Sequence, residues 1–241
     1  KRQEVPPTVR EAMCGLHLDQ FTTYDFDGFF HDRPVVFMET ENGGVKTISA
    51  PHMIVTLLHH LELKEGHEVL VVGSKGGYIA ALIATIVGEQ GRVIIIDPSE
   101  EIIRHTANAL NGWPTIDLRH VESIDVAPIE LPGDLSRILI TGSVLSVPTW
   151  MEERIVEGGF VIAPIGDHHH QELMKNERQF DALHPTSLGP VSFGPVDIVE
   201  SEPQPLTALE IADLIETLIE TCHEMDLCGA DELQQLGTIA D

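Results

Sequence analysis

A chain of 241 residues with 42% hydrophobic content is long enough for one large domain, or a domain with extensions, and apolar enough for a real core. Fourteen basic against 39 acidic residues leave a formal charge of −25, which argues against a nucleic-acid ligand, because a phosphate backbone calls for a basic stripe. The apolar runs are strand-sized and fall short of the roughly 20 residues of a membrane span; no signal peptide is read at the N-terminus, and three cysteines without C-x-x-C spacing (Cys14, Cys222, Cys228) point to a reducing compartment, the cytoplasm.

In chain order, Val9, Met13 and Leu16 are spaced like one face of a helix. Residues 26–48 read as short extended pieces around a Glu-Asn-Gly-Gly turn. From Pro51, the residues Met53, Ile54, Leu57, Leu58 and Leu61 form a single apolar helical face; Ser49 stands as a candidate cap and Glu65-Gly66 as the end. Strands are predicted at 69–72, 93–96, 118–121, 138–141 and 160–164, with helices at 78–87, 99–110 and 149–156 between them. This alternation predicts a parallel sheet with helices on both faces and a ligand beyond the carboxyl ends of the strands. In the tail, Ile211, Leu214, Ile215, Leu218, Ile219 and Cys222 make one apolar helical stripe, which packs on its own domain or serves a homodimer or partner contact. His168-His169-His170 reads as an exposed loop, because adjacent histidines do not easily all face one ion.

The most telling segment is Val69 to Asp97. An apolar run enters the turn Gly73-Ser74-Lys75-Gly76-Gly77, a helix follows, and a second apolar run ends in Asp97. Strand, tight turn, helix, strand and acid make a βαβ unit suited to a nucleoside-containing cofactor: glycines let backbone N–H groups approach the ligand, and the acid can accept hydrogen bonds from ribose hydroxyls.

Thr47-Ile48-Ser49-Ala50-Pro51-His52-Met53, followed at this separation by Val69 to Leu82, resembles the protein-L-isoaspartate O-methyltransferase family. Phe30-His31-Asp32-Arg33-Pro34, Gly158 to Gly166, Gln171-x-Leu173 and Phe193-Gly194-Pro195-Val196 are similar to further family segments, so the resemblance covers about residues 26–200. It implies a doubly wound, Rossmann-like α/β methyltransferase domain at 51–200 behind an N-terminal helix and substrate-side cover at 1–50; the tail outside it, 201–241, reads from its own periodicity as an acidic helical extension. It also implies S-adenosylmethionine as cofactor and an isoaspartyl peptide or protein as substrate.

Under that resemblance Gly73, Ser74, Lys75, Gly77, Asp97 and Glu122 are the cofactor-binding candidates. Ser49 is the catalytic candidate beside the methyl-accepting carboxylate, joined by His52 and Asp32 on the substrate side. Read from the residues alone, Ser49 is equally a helix cap and Glu122 a solvated surface acid. The chain departs from the family where Val71 replaces an acid, where Lys75 replaces the middle glycine, and at Leu135-Ser136 and Thr141 to Val144. Lys75 either pairs with a carboxylate or fills the site. Because these departures gather at one pocket, two alternatives stand beside an isoaspartyl methyltransferase: a member that keeps the fold and acts by binding, and a methyltransferase for another substrate.

Overall fold

The computed structural model describes residues 5–196, apart from 41–43, 129, 168 and 181, together with positions 215, 218 and 219. The chain divides into two compact units, residues 1–198 and 199–241. In the second, Ile215, Leu218 and Ile219 are helical, and the rest of the predicted apolar stripe lies outside the described residues.

The first unit is built on seven strands. β3 (Glu68–Val72) lies at the centre, with β4 (Arg92–Asp97) and β5 (Ile116–His120) on one side and β6 (Leu135–Ile140) and β7 (Ile155–Gly166) on the other, all parallel. Val69–Val72 and Val93–Ile96 are fully buried, which is why these strands read as unbroken apolar runs. Beyond β7 the sheet turns antiparallel, through β8 (Gln171–Gln179) and β9 (Ala182–Pro190). The parallel sheet predicted from the alternation holds for the five strands β3 to β7, and the antiparallel pair is an addition that the sequence reading did not include. β8 is largely polar and β9 contains Pro185 and Pro190, so neither carries the apolar signature of a central strand, and proline is tolerated at the sheet edge.

The two faces are covered unequally. Val69, Val71, Val93, Ile95 and Leu139 pack under α1 (Pro7–Gly15), α3 (Pro51–His60), α4 (Tyr78–Val87) and α5 (Glu100–Ala109). Leu70, Val72, Ile94, Ile138 and Ile140 face the short α6 (Thr149–Arg154) and an irregular crossover, which Trp150 Nε1 ties down by donating to Ile124 O at 2.8 Å. α3 stops short of the predicted Glu65-Gly66, because Glu62 already adopts φ 50° and breaks the helix.

A short helix α2 (Asp27–Phe30) and the hairpin of β1 (Val35–Glu39) with β2 (Val45–Ile48) complete the N-terminal cover. The cover is anchored by rings. Tyr78, the first residue of α4 and buried, meets Phe21 edge-on at 5.3 Å and Phe29 edge-on at 5.8 Å. These contacts hold the residues before α3 over the start of the cofactor-turn helix. Phe21→Ala is therefore expected to cost about 3–5 kcal/mol of unfolding free energy, read from denaturant midpoints; a loss near that of a surface change would show that the cover is not part of the cooperative core.

Candidate active site

Strand order reverses between β3 and β6, and at such a switch point the two loops leave in opposite directions and open a crevice. The turn Gly73 to Gly77 follows β3. Gly73 and Gly77 have φ 86° and 91°, a left-handed region open to glycine without penalty. Lys75 also sits there, at φ 46°, where a side chain costs about 1–2 kcal/mol.

Asp97, at the end of β4, organises this turn. Its Oδ2 accepts from Ser74 N at 2.7 Å and from Ser74 Oγ at 3.0 Å, and its Oδ1 accepts from Ser99 N at 2.9 Å. Ser74 Oγ lies 2.9 Å from the buried Thr106 hydroxyl. Burial raises the Asp97 carboxyl above its ordinary value, against the lowering effect of the Ser74 and Ser99 bonds and the Lys46 charge. Three donors leave about one of the carboxylate's four acceptor positions open.

Side chains cover the turn. A Cβ added at Gly73 would lie 2.5 Å from Thr141 Oγ1 and 3.7 Å from Val196; one at Gly76 would meet the Phe37 ring at 2.9 Å, and one at Gly77 would meet Leu110 at 3.0 Å. Thr141 Oγ1 is also within 2.7 Å of Gly73 O and 3.1 Å of Val72 O, so it bridges the switch point. Val71, where the family resemblance calls for an acid, is fully buried.

Beside the turn lies a cleft of about 490 Å³ lined by Ser49, His52, Lys75, Ser192 and Phe193, among others. Ser49 does not cap α3: the N-cap is Ala50, no side chain caps the helix, and among the described residues the Ser49 hydroxyl has no hydrogen-bond partner. Of its two sequence readings, the structure excludes the cap. His52 is held by Asp32, whose Oδ1 accepts from His52 N at 2.9 Å, with His52 Nδ1 3.0 Å from both carboxylate oxygens. An acceptor-only carboxylate makes Nδ1 the donor and leaves Nε2 free. The backbone bond from His52 lowers the Asp32 carboxyl below its ordinary value.

Lys75 Nζ stands 5.8 Å from the Phe193 ring centroid. Burial, helped by the neighbouring Lys46 charge, brings its ammonium down to about 8, against the opposing pull of Asp97. Glu122 is apart from this group: it is exposed beyond β5 and does not line the cleft. Asp167 Oδ1 accepts the N–H groups of His169 and His170, and among the described residues no group of three His, Cys, Asp or Glu is placed to hold a metal. Lys46 and Phe37 were not foreseen as site residues, because nothing local in their neighbourhoods marks which strand ends meet.

Residues 1–200 match the family model of Protein-L-isoaspartate(D-aspartate) O-methyltransferase. The chain belongs to this family. It is 34% identical over 176 residues to the Protein-L-isoaspartate O-methyltransferase of Methanopyrus kandleri, covering 72% of this chain and 75% of that one. To the enzyme of that name from Methanococcus maripaludis strain S2 it is 32% identical over 192 residues, covering 78% and 87%. Among solved structures, a protein-L-isoaspartate O-methyltransferase superposes with TM-score 0.70 at 20% identity, covering 88% of this chain and 66% of that one. Another, from Plasmodium falciparum and in complex with S-adenosyl-L-homocysteine, superposes with TM-score 0.66 at 20% identity, covering 80% and 91%. At that identity the two structures establish the shared fold.

The family's cofactor is S-adenosylmethionine, and this chain's residues fit it in part. The left-handed glycines Gly73 and Gly77 and the acid Asp97 stand where a nucleoside cradle needs them, whereas Lys75, Thr141 and Val196 take up space over the turn.

Two outcomes follow from this geometry. Asp97→Asn replaces an acceptor of three bonds with a group that offers one acceptor oxygen, so it is expected to lower unfolding free energy by about 1–3 kcal/mol in denaturant titration. Lys75 gives a signature in pH: the unfolded lysine holds its proton up to 10.5 and the folded one only to about 8. Between those values the unfolded chain binds more protons, so stability rises with pH, and Lys75→Met should flatten that rise.

Proposed function

We propose that this chain is an S-adenosylmethionine-dependent methyltransferase that esterifies the free carboxylate of isoaspartyl residues in peptides or proteins. Family membership over residues 1–200 carries the reading, supported by the unbonded Ser49 hydroxyl in a cleft that adjoins the glycine turn. When bound, the cofactor supplies an electrophilic methyl group on a sulfonium. The backbone of Gly73, Ser74, Lys75 and Gly77 forms its seat, with the remaining acceptor position of Asp97 turned to the ribose. Ser49 donates a hydrogen bond to the acceptor carboxylate, and His52, steadied by Asp32, lies on the same cleft wall. A carboxylate is already ionised at neutral pH, so the chain needs no strong base; alignment and exclusion of water lower the barrier.

The reading carries a structural requirement. Val196 and the segment before it must move off Gly73 to admit the adenosyl group, because the described arrangement packs Val196 and Thr141 over that turn. The same packing favours a second reading, a member that retains the fold and acts by binding alone.

Cysteines without paired spacing support a reducing, cytoplasmic setting. Among the described residues no helix is long and apolar enough to cross a membrane. Radioactive methyl transfer separates the readings. The expected result is label in an isoaspartyl peptide and none in its normal aspartyl counterpart, with Ser49→Ala lowering kcat/KM about tenfold to a hundredfold. Calorimetry showing no heat with millimolar S-adenosylmethionine, together with no label, would establish the binding-only member instead.

A further inference from the structure

Acidic residues outnumber basic ones 39 to 14, and three of the described cations are paired with carboxylates. Arg92 and Arg119 meet Asp117 at 2.8 and 2.6 Å, and Lys175 meets Glu62 at 2.6 Å. Lys46 and Lys75 behave differently. Both are partly buried, yet among the described residues neither ammonium makes a hydrogen bond or an ion pair. The nearby carboxylate, Asp97, already accepts three bonds from Ser74 and Ser99 and acts on both lysines only at longer range.

The position of Lys75 in the cleft is specific. Lys75 and Ser49 both line this cleft and the small void beside it; among the described residues the Ser49 hydroxyl is unbonded, and the Lys75 ammonium stands 5.8 Å from the Phe193 ring centroid. A partly desolvated cation without a partner is unfavourable unless a ligand supplies the counter-charge. A cation and an O–H donor on one cleft are together suited to a carboxylate, which accepts from both by charge-assisted bonds.

We propose that Lys75 and Ser49 form a carboxylate-binding subsite, in which Lys75 supplies the counter-charge and Ser49 the hydroxyl donor. Lys75 thereby makes the site selective for an anionic ligand over its neutral isostere. The inference rests on the reading of this cleft as the active site. The carboxylate has two candidate sources, the free carboxylate of the acceptor's isoaspartyl residue and the α-carboxylate of the cofactor. Lys46 adds positive potential near the subsite, with Asp97 and Glu101 near it and His52, paired with Asp32, on the cleft wall. Because burial and Lys46 bring the Lys75 ammonium down to about 8, the counter-charge is present at neutral pH and is lost in mildly alkaline solution.

The test uses the full chain and four probes: an isoaspartyl peptide, its isoasparaginyl amide, S-adenosylhomocysteine, and the decarboxylated form of that thioether. Calorimetric affinities are compared for the wild type, Lys75→Met and Lys75→Arg at about pH 7 and about pH 9, either side of the folded lysine and below the free one. The wild type should prefer at least one carboxylate probe over its neutral counterpart by about tenfold or more. That preference should vanish in Lys75→Met, persist in Lys75→Arg, and fall with rising pH in the wild type but not in the arginine variant. A preference lost on the peptide pair assigns the acceptor as the source; one lost on the thioether pair assigns the cofactor.

Equal preference in the wild type and Lys75→Met, or no preference in the wild type, overturns the proposal. If Lys75→Met does not fold by circular dichroism, the pH comparison between wild type and Lys75→Arg decides alone. Methyl transfer measured in parallel keeps the two readings apart. Transfer with an unaffected carboxylate preference removes this subsite and leaves the enzyme, whereas a lysine-dependent preference without transfer does the reverse.

Discussion

The carboxylate of Asp97 ties the turn after β3 to the end of β4, and the rest of the site is arranged around that tie. It draws in Ser74 through both the backbone N–H and the hydroxyl, and Ser74 in turn reaches Thr106 on α5. With Ser74 fixed, the next residues must climb into α4 through three consecutive left-handed positions, Lys75, Gly76 and Gly77. The backbone strain at Lys75 is thus held by a buried hydrogen-bond network rather than relieved, a common way for functional loops to keep an unfavourable conformation.

A second constraint comes from the opposite direction. The N-terminal cover is locked to the first residue of α4 by Phe21 and Phe29 on Tyr78, and it carries β2 and the entry to α3 with it. Ser49 and Lys75 are brought to one cleft because both ends of this arrangement are rigid: one lysine turn held by Asp97, one serine loop held by aromatic packing. Neither residue shares a strand or helix with the other, so their proximity depends on the whole first unit. In a chain of charge −25, the outcome is a cleft lined by both a lysine and a hydroxyl that is unbonded among the described residues.

The parallel core was legible because its strands are buried on both faces and so appear as apolar runs, and α4 and α5 were legible from their periodicity and from Ser99, which caps α5 by accepting from Ile102 N. β8 and β9 were not. Their polar and proline-bearing sequences pair at a sheet edge, where one side of the ladder faces no neighbour and composition is weakly constrained. Ser49 shows the limit for sites: local sequence allows a helix cap, and only the placement of Ala50 as N-cap frees the hydroxyl. Glu122 shows the converse, a plausible acid after a strand that the folded chain leaves on the surface.

What local residue order determined was the βαβ frame from Val69 to Asp97 and the family to which the chain belongs, because burial on both strand faces and the conformational needs of glycine leave marks on neighbouring positions. What only the tertiary structure decided was the state of the pocket: that Thr141, Phe37 and Val196 close over the turn, that Asp97 bonds inward, and that among the described residues Lys46 and Lys75 form no ion pair. Those features join residues dozens to more than a hundred positions apart, and their energy lies in close packing and desolvation, which sequence spacing does not encode.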